Sequence, residues 1–212
     1  MNKGTAMDFI DISWPISQNM TAYKDRKVVA IEATKTFESD NARETKLCLG
    51  SHSGTHIDSP SHFLKDGKTL DQLSLSQFNG PCTVLDLTNV EERIMIEDLE
   101  QENIEKNSIV LMKTRNSFLS PEAGFNTSFV YLTLSGAQYL VEKRVKAVGI
   151  DYLGIERNQP NHETHTELLQ NNVGIIEGLR LQEVEPGNYN LWCLPLNVVS
   201  VEAAPARAVL VP

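Results

Sequence analysis

One segment of this sequence combines histidines and an aspartate with residues that bend the backbone: Ser51-His52-Ser53-Gly54-Thr55-His56-Ile57-Asp58-Ser59-Pro60-Ser61-His62-Phe63. It holds three of the chain's five histidines. Its four ligand-type side chains all have even numbers and would share one face of an extended segment: His52, His56, Asp58 and His62. Imidazoles and carboxylates are ligands that Zn²⁺ and Mn²⁺ accept, and no cysteine lies within the segment to suggest a closed structural zinc site. The segment therefore predicts a metal site.

A metal site requires this segment to bend. In a straight strand His52 and His56 would lie roughly 13 Å apart, whereas two nitrogens on one metal lie about 3 to 3.5 Å apart. Gly54 can supply the bend, because glycine adopts positive φ without a steric penalty. Pro60 then prevents a helix and favours a turn that aims His62 inward.

The alternative is a polar loop in which each of these side chains is satisfied by ordinary hydrogen bonds. For a single histidine that interpretation would be preferred. For the whole set it is not, because three imidazoles and a carboxylate around one glycine are costly to gather unless something binds them.

Outside this segment, the hydrophobic pattern predicts an α/β protein. Short alternating or β-branched runs predict early strands at 9–14, 28–37 and 45–50, and compact apolar runs predict the strands of a central sheet at 83–88, 108–112, 147–150, 174–176 and 191–196. Helices are predicted at 96–103, 136–144 and 163–171.

Ser135 and Gln138 form a capping-box pattern for the second of these helices. A nucleophilic Ser135 is the alternative, but this serine lacks a Gly-x-Ser-x-Gly context. With no repeat or linker, we expect a single domain over 1–212.

Composition and charge limit the possible partners. The chain has 212 residues and a net charge of −9 from 19 basic and 28 acidic side chains, which disfavours nucleic acid and anionic membrane surfaces. It contains no stretch of about 18 apolar residues and no apolar signal-peptide core near its start, so we expect a cytoplasmic protein. The three cysteines are odd in number and have apolar neighbours, which predicts reduced thiols packed in the core: Cys48, Cys82 and Cys193.

The pattern His-x-Gly-Thr-His-x-Asp-x-Pro-x-His resembles the signature of the cyclase family of metal-dependent hydrolases. Bacterial kynurenine formamidases belong to this family, and isatin hydrolases are similar enzymes. Four further segments look like family landmarks in family order: Asp-Ile-Ser-Trp-Pro-Ile at 11–16, Lys-Thr-Arg-Asn-Ser at 113–117, Glu-Gly-Leu at 177–179 and Pro-Ala-Arg-Ala-Val-Leu at 205–210. The resemblance covers nearly the whole chain.

The resemblance implies a role for each residue of the first segment. His52, His56 and Asp58 would be metal ligands, and His62 would be the catalytic acid/base that accepts a proton from water and delivers it to the leaving nitrogen. One or two Zn²⁺ or Mn²⁺ ions per chain would lower the pKa of a bound water, and Asp58 could bridge two ions. The implied reaction is hydrolysis of an amide-type C–N bond.

Two further ligands are implied downstream. The family carries a His-x-x-Leu-Leu segment and, twelve residues after its histidine, Glu-Gly-Leu; here these resemble segments that begin at His165 and Glu177. His162 competes with His165, but only His165 fits both the pattern and the interval, so we expect His162 to lie beside the ligands or on the surface. Glu177 could instead face water, although its apolar setting favours pairing with a cation.

The resemblance also implies a swivelling β/β/α fold, with a central mixed β-sheet flanked by a few helices, assembled as a homodimer or a higher homo-oligomer. The expected activity is that of an arylformamidase acting on N-formylkynurenine in tryptophan catabolism. A cyclic-amide or lactone hydrolase similar to the isatin hydrolases is one alternative, and a metal-stabilised binding module without catalysis is another.

Three segments bear on the substrate pocket without fixing its specificity. Formamidase relatives carry Trp-Pro-Gly-Asp where this chain has Thr-Ala-Tyr-Lys-Asp at 21–25. The segment 153–160 also departs from the formamidase pattern, and it is expected to border the site because it precedes a ligand. Residues 114–116 follow a buried strand and either line the pocket or form a solvated loop.

Overall fold

The computed structural model describes residues 8–27 and 29–212, and within them the chain forms twelve strands and four α-helices. The strands are β1 (Ile10–Asp11), β2 (Ala30–Lys35), β3 (Glu44–Cys48), β4 (His56–Asp58), β5 (Asn79–Asp86), β6 (Arg93–Ile94), β7 (Ile109–Lys113), β8 (Tyr131–Leu132), β9 (Ala147–Ile150), β10 (Gly174–Glu177), β11 (Gly187–Pro195) and β12 (Ala203–Val211). The helices are α1 (Phe37–Asp40), α2 (Ile96–Leu99), α3 (Leu134–Glu142) and α4 (Glu163–Gln170). None of the helices described is long and apolar enough to span a bilayer.

Eight strands form one mixed sheet in the order β1-β12-β11-β5-β7-β9-β10-β4, and β12 also pairs with β4. That last pairing closes seven strands into a barrel. Strands β5, β7, β9 and β10 run parallel to one another, whereas β4, β11 and β12 join them through antiparallel pairs. The predicted central mixed sheet flanked by a few helices is confirmed, and its closure is a further finding.

The apolar core lies on both faces of this sheet because side chains alternate along each strand. In β7, Ile109 and Leu111 pack inside the barrel, and Val110 and Met112 pack outside it against the helices. The short strand β4 follows the same rule. Ile57 belongs to the inner cluster, so its neighbours His56 and Asp58 face the outer side, toward α4.

The secondary-structure predictions differ from the structure at the ends of elements and in elements that they omit. The first predicted strand is reduced to β1. The second corresponds to β2, and Val28, at its predicted start, lies outside the described residues. Strands β4, β6, β8 and β12 and helix α1 were not predicted. The capping prediction for α3 is wrong: Thr133, not Ser135, caps the helix and accepts from Gly136 N at 3.2 Å. The helix begins earlier because Thr133 is tied to Ile94 O through its backbone N–H and its hydroxyl group.

Two of the three cysteines fit the predicted core role. Cys82 and Cys193 are buried, and burial raises the pKa of each thiol to about 12. The prediction for Cys48 is wrong, because it is exposed at the end of β3. Its apolar neighbours belong to a β2–β3 hairpin that extends from the barrel, so local composition does not indicate burial there.

The segment after β7 neither lines a pocket nor forms a fully solvated loop. Arg115 is exposed, but Thr114 and Asn116 are buried. Asp151 accepts from the backbone N–H and the hydroxyl of both Thr114 and Ser117, at 2.7 to 3.0 Å. This network joins the ends of β7 and β9.

Candidate metal centre

The backbone bends sharply at Gly54, as the spacing of the histidines requires. Gly54 has a φ of +64°, and the ring centroids of His52 and His56 lie 4.9 Å apart. The predicted bend is therefore confirmed. Thr55 holds the bend in place, since its hydroxyl accepts from Trp14 N at 2.7 Å and donates to Gly178 O at 2.5 Å.

Two groups of ligand-type atoms meet at Asp58. In the first group, Oδ1 of Asp58 lies 3.1 Å from His52 Nδ1 and 3.5 Å from His56 Nε2. In the second, Oδ2 lies 3.5 Å from His165 Nε2, which in turn lies 3.2 Å from Glu177 Oε1. Within each group the ligand-type atoms all lie within 4.8 Å of one another. The structure thus brings all five predicted ligand residues together, with one carboxylate oxygen of Asp58 facing each group.

The secondary structure explains how residues far apart in the sequence meet here. Glu177 ends β10 and pairs directly with His56 on β4, while His165 lies in the first turn of α4, which contacts β10. Glu177 is only 4% exposed, so the alternative of a carboxylate facing water is excluded. Its Oε1 also accepts from Ile155 N at 2.6 Å.

The arrangement of buried atoms fits a divalent metal ion. His56 Nε2 and both carboxylate oxygens of Asp58 are buried without an aligned hydrogen-bond partner among the described residues, although they lie close to other polar atoms. Each unpaired buried polar group costs about 1 to 3 kcal/mol. Coordination to a cation satisfies all of these atoms at once, and imidazole with carboxylate is a donor set that Zn²⁺ and Mn²⁺ accept.

The pKa shifts show how strongly these groups interact. Burial lowers the pKa of His56, but Glu177, whose Oε2 lies 3.3 Å from His56 Nε2, and the charge of Asp58 outweigh this effect and raise the pKa to about 9. Burial and the charge of Asp58 raise the pKa of Glu177, yet the hydrogen bond with His165 and the nearby imidazole of His56 lower it to about 2. The carboxylates of Asp58 and Glu177 are thus charged at neutral pH. Protons on the imidazoles of His56 and His165 balance this charge, and a bound cation would replace those protons.

Each histidine of the two ligand groups also has an oxygen near its other ring nitrogen. His56 Nδ1 is 2.9 Å from Gly54 O, His52 Nε2 is 3.3 Å from Glu202 Oε1, and His165 Nδ1 is 3.2 Å from Glu156 Oε2. Such outer contacts fix the orientation of a ligating imidazole. Neither Glu156 nor Glu202 is predicted as a site residue from the sequence, because no local pattern marks either of them.

His62 lies beside the two groups without joining either. Its ring centroid is 4.3 Å from that of His52 and 5.9 Å from that of His165. Burial lowers the pKa of His62, and this effect is only partly opposed by the charge of Asp58. The imidazole is therefore neutral at neutral pH and can accept a proton.

A cavity of about 490 Å³ opens beside the five ligand-type residues and is lined by three of them. His52, His62, His165 and Glu177 contribute to its lining, together with residues of the segments 20–26 and 153–158. Tyr23 supplies an aromatic wall within the first segment, and its ring packs edge-on against Phe125 at 4.9 Å. The expectation that residues 153–160 border the site is confirmed. His162 also lines the cavity, and its side chain is 58% exposed.

A closed mixed sheet that carries converging imidazoles and carboxylates below an open cavity is typical of a metal-dependent enzyme. The model of the family described as putative cyclase matches residues 10–157. The chain therefore belongs to the cyclase family.

Individual relatives agree with this assignment. A kynurenine formamidase of Bacillus cereus is 30% identical over 207 residues, which cover 97% of this chain and 98% of the relative. A solved structure described as a potential metal-dependent hydrolase with cyclase activity is 39% identical, has a TM-score of 0.88, and is matched over 97% of this chain and 98% of its own. Isatin hydrolase A from Ralstonia solanacearum shares the fold, with a TM-score of 0.84 at 18% identity over 97% of this chain and 92% of its own.

Proposed function

We propose that this chain is a metal-dependent hydrolase of amide-type C–N bonds, and that it acts as an arylformamidase on N-formylkynurenine. One observation carries the proposal: five buried or half-buried ligand side chains converge in two groups that share Asp58, and three of them line the cavity. The proposed ligands are His52, His56, Asp58, His165 and Glu177. Because each Asp58 oxygen faces one group, we propose that the centre holds one or two ions of Zn²⁺ or Mn²⁺.

The roles of the protein groups follow from their positions. A divalent ion held by these ligands would lower the pKa of a water molecule and polarise the carbonyl group of an amide. His62 accepts the proton of the attacking water and donates it to the leaving nitrogen, because its imidazole is neutral and stands next to the ligands rather than among them. Asp58 and Glu177 hold the negative charge that a cation requires.

The walls of the cavity support an aromatic amide as the substrate. Tyr23, Phe63 and Leu153 line it and offer flat or apolar surface to an aryl group. A volume of about 490 Å³ is within the range of small-molecule sites. The kynurenine formamidase relatives match nearly the whole length of this chain, so we assign the reaction to the tryptophan-degradation step that releases formate from N-formylkynurenine.

Two substitutions separate metal binding from proton transfer. His56→Ala removes a ligand, so we expect loss of both bound metal and turnover. His62→Ala should retain the metal and lower kcat by about 100-fold to 10,000-fold, the usual contribution of an acid/base group. Elemental analysis of the purified variants, read beside their rates, makes the comparison. Equal metal loss in the two variants would refute this division of roles.

The choice of substrate is tested by comparing N-formylkynurenine with isatin, each assayed after reconstitution with Zn²⁺ or with Mn²⁺. We expect the higher kcat/KM for N-formylkynurenine. Faster opening of isatin with either metal would instead identify a cyclic-amide hydrolase. Stoichiometric metal binding without turnover of any amide would identify a binding module.

We also propose that the protein is a cytoplasmic, single-domain homodimer or higher homo-oligomer. Of residues 30–48, which form the β2–β3 hairpin, all except Ile31 are exposed, and an isolated two-stranded hairpin is only marginally stable in water. Trp192, Leu194 and Leu196 are also exposed at alternating positions along and just after β11. A second copy that covers these surfaces would stabilise both. Light scattering that shows a monomer would contradict this assembly.

A further inference from the structure

Glu156 touches two histidines with different surroundings. Its side chain is 5% exposed. Oε1 lies 2.5 Å from His162 Nδ1, and Oε2 lies 3.2 Å both from the backbone nitrogen and from Nδ1 of His165. One buried carboxylate therefore contacts a proposed metal ligand with one oxygen and an imidazole of the cavity wall with the other.

The backbone at His162 adopts a conformation that needs such support. Asn161 and His162 have φ values of +55° and +51°, in the left-handed region that is unfavourable for a residue with a side chain. The contact with Glu156 and stacking on Phe63, with ring centroids 4.3 Å apart and planes at 27°, hold the His162 ring in place. Strain of this kind persists where surrounding contacts fix it, often at functional sites.

The ring of His162 is therefore fixed through Nδ1, while more than half of the side chain stays exposed to the cavity. Its Nε2 is the polar atom that remains for a ligand in the cavity. His162 is joined through Glu156 to the Nδ1 side of His165, whereas Nε2 of His165 faces Asp58 and Glu177, and the ring centroids of His162 and His165 lie 6.4 Å apart. That position suits contact with a polar substituent of the substrate rather than with the bond that breaks.

We propose that Glu156 is a positioning residue that orients His165 toward the metal centre and His162 toward the cavity, and that His162 binds a polar group of the substrate through Nε2. The part that concerns His162 rests on the proposed function. A separate ion held by Glu156, His162 and His165 is the competing interpretation, since these residues also offer three clustered ligand atoms. It would require His165 to ligate through both ring nitrogens, which a neutral imidazole does not do.

The role of Glu156 is tested by measuring zinc affinity in competition with a chromophoric chelator. Glu156→Ala and Glu156→Gln should both weaken zinc binding, the alanine variant by about 10-fold to 100-fold, as expected when the outer partner of a ligating histidine is lost. Glu183→Ala, at an exposed position, is the control and should bind zinc as the wild type does. The midpoint of urea unfolding, measured for each variant without metal, separates loss of affinity from loss of folding. Wild-type zinc affinity in both Glu156 variants would overturn this role.

The role of His162 is tested by kinetics on N-formylkynurenine with the zinc-loaded enzyme. His162→Ala should raise KM about tenfold, the effect of losing one good hydrogen bond, while kcat and zinc stoichiometry stay unchanged. His162→Asn keeps an amide donor for Glu156 but lacks Nε2, and asparagine tolerates positive φ. It should therefore raise KM as much as alanine does.

An unchanged KM in both His162 variants, or one zinc equivalent lost from His162→Ala, would overturn the substrate-binding role. A wild-type enzyme that does not turn over N-formylkynurenine would overturn the proposed function and the role of His162 together. The zinc affinities would still decide the role of Glu156.

Discussion

Replacing Gly178 with alanine should move the bend at Gly54, which lies between His52 and His56, away from Glu177 without changing any metal ligand. Gly178 follows the ligand Glu177 and has a φ of +70°. A Cβ atom at this position would lie 2.3 Å from the carbonyl oxygen of Gly54 and 2.8 Å from its carbonyl carbon. Both are backbone atoms at the bend between His52 and His56, so no side-chain rotation can relieve the clash.

The structure sets the size of the effect. The left-handed backbone costs alanine roughly 1 to 2 kcal/mol, and forcing extra volume into a packed contact costs about 1 to 3 kcal/mol. The free energy of unfolding of the metal-free protein should therefore fall by about 2 to 5 kcal/mol. Because ligands must be held within about 0.5 Å of their productive geometry, displacement of the bend should also weaken zinc binding by about tenfold or more.

Gly187 offers a matched control. It has a φ of +148° at the start of β11, and an added Cβ would meet nothing within 4 Å. Gly187→Ala should therefore lose stability through backbone strain alone and keep the zinc affinity of the wild type. Urea unfolding without metal and chelator competition with zinc measure the two quantities separately. If Gly178→Ala binds zinc as tightly as the wild type, or if both variants lose affinity equally, the close approach of the two backbones is not what holds the centre together.

Three further outcomes are expected. The free energy of unfolding of chelator-treated protein should fall by about 3 kcal/mol as the pH rises from 6.5 to about 9. Because the pKa of His56 is raised to about 9 in the folded state, this imidazole stabilises the fold fully below pH 6.5 and no longer does so above pH 9. A flat profile in urea titrations would contradict this. Asp151→Asn should cost about 2 to 3 kcal/mol, because an amide cannot accept from all five donors that reach the carboxylate, and zinc content measured by elemental analysis should not change. A thiol reagent should modify one cysteine in the native chain and three after denaturation, because Cys48 is exposed whereas Cys82 and Cys193 are buried; rapid modification of a second native thiol would disagree with the structure.

Much of the metal centre is encoded within a short stretch of chain. The bend at Gly54 and the meeting of His52, His56 and Asp58 depend on the conformations of only seven residues, so spacing and backbone stereochemistry sufficed to predict them. The position of Glu177 followed from family resemblance, and its burial agrees with its apolar neighbours. Apolar runs likewise predicted the parallel strands of the sheet, because such strands are covered on both faces.

Predictions from local composition failed where a segment's surroundings outweigh its sequence. Cys48 has apolar neighbours, yet it lies on a hairpin that extends from the barrel and is exposed. Ser135 has the residue pattern of a helix cap, but a tie between Thr133 and Ile94 starts the helix earlier.

The sequence by itself therefore determined the α/β class, the bend at Gly54 and the ligand types of the first group. Only the tertiary structure decided that β12 pairs with β4 and closes the barrel. It also decided that Glu156 contacts His165 and that Glu202 contacts His52. The physical reason is the distance along the chain over which each kind of interaction acts. Backbone preferences act over a few residues, whereas Glu202 reaches His52 from 150 positions away, through strand pairing that no local pattern specifies.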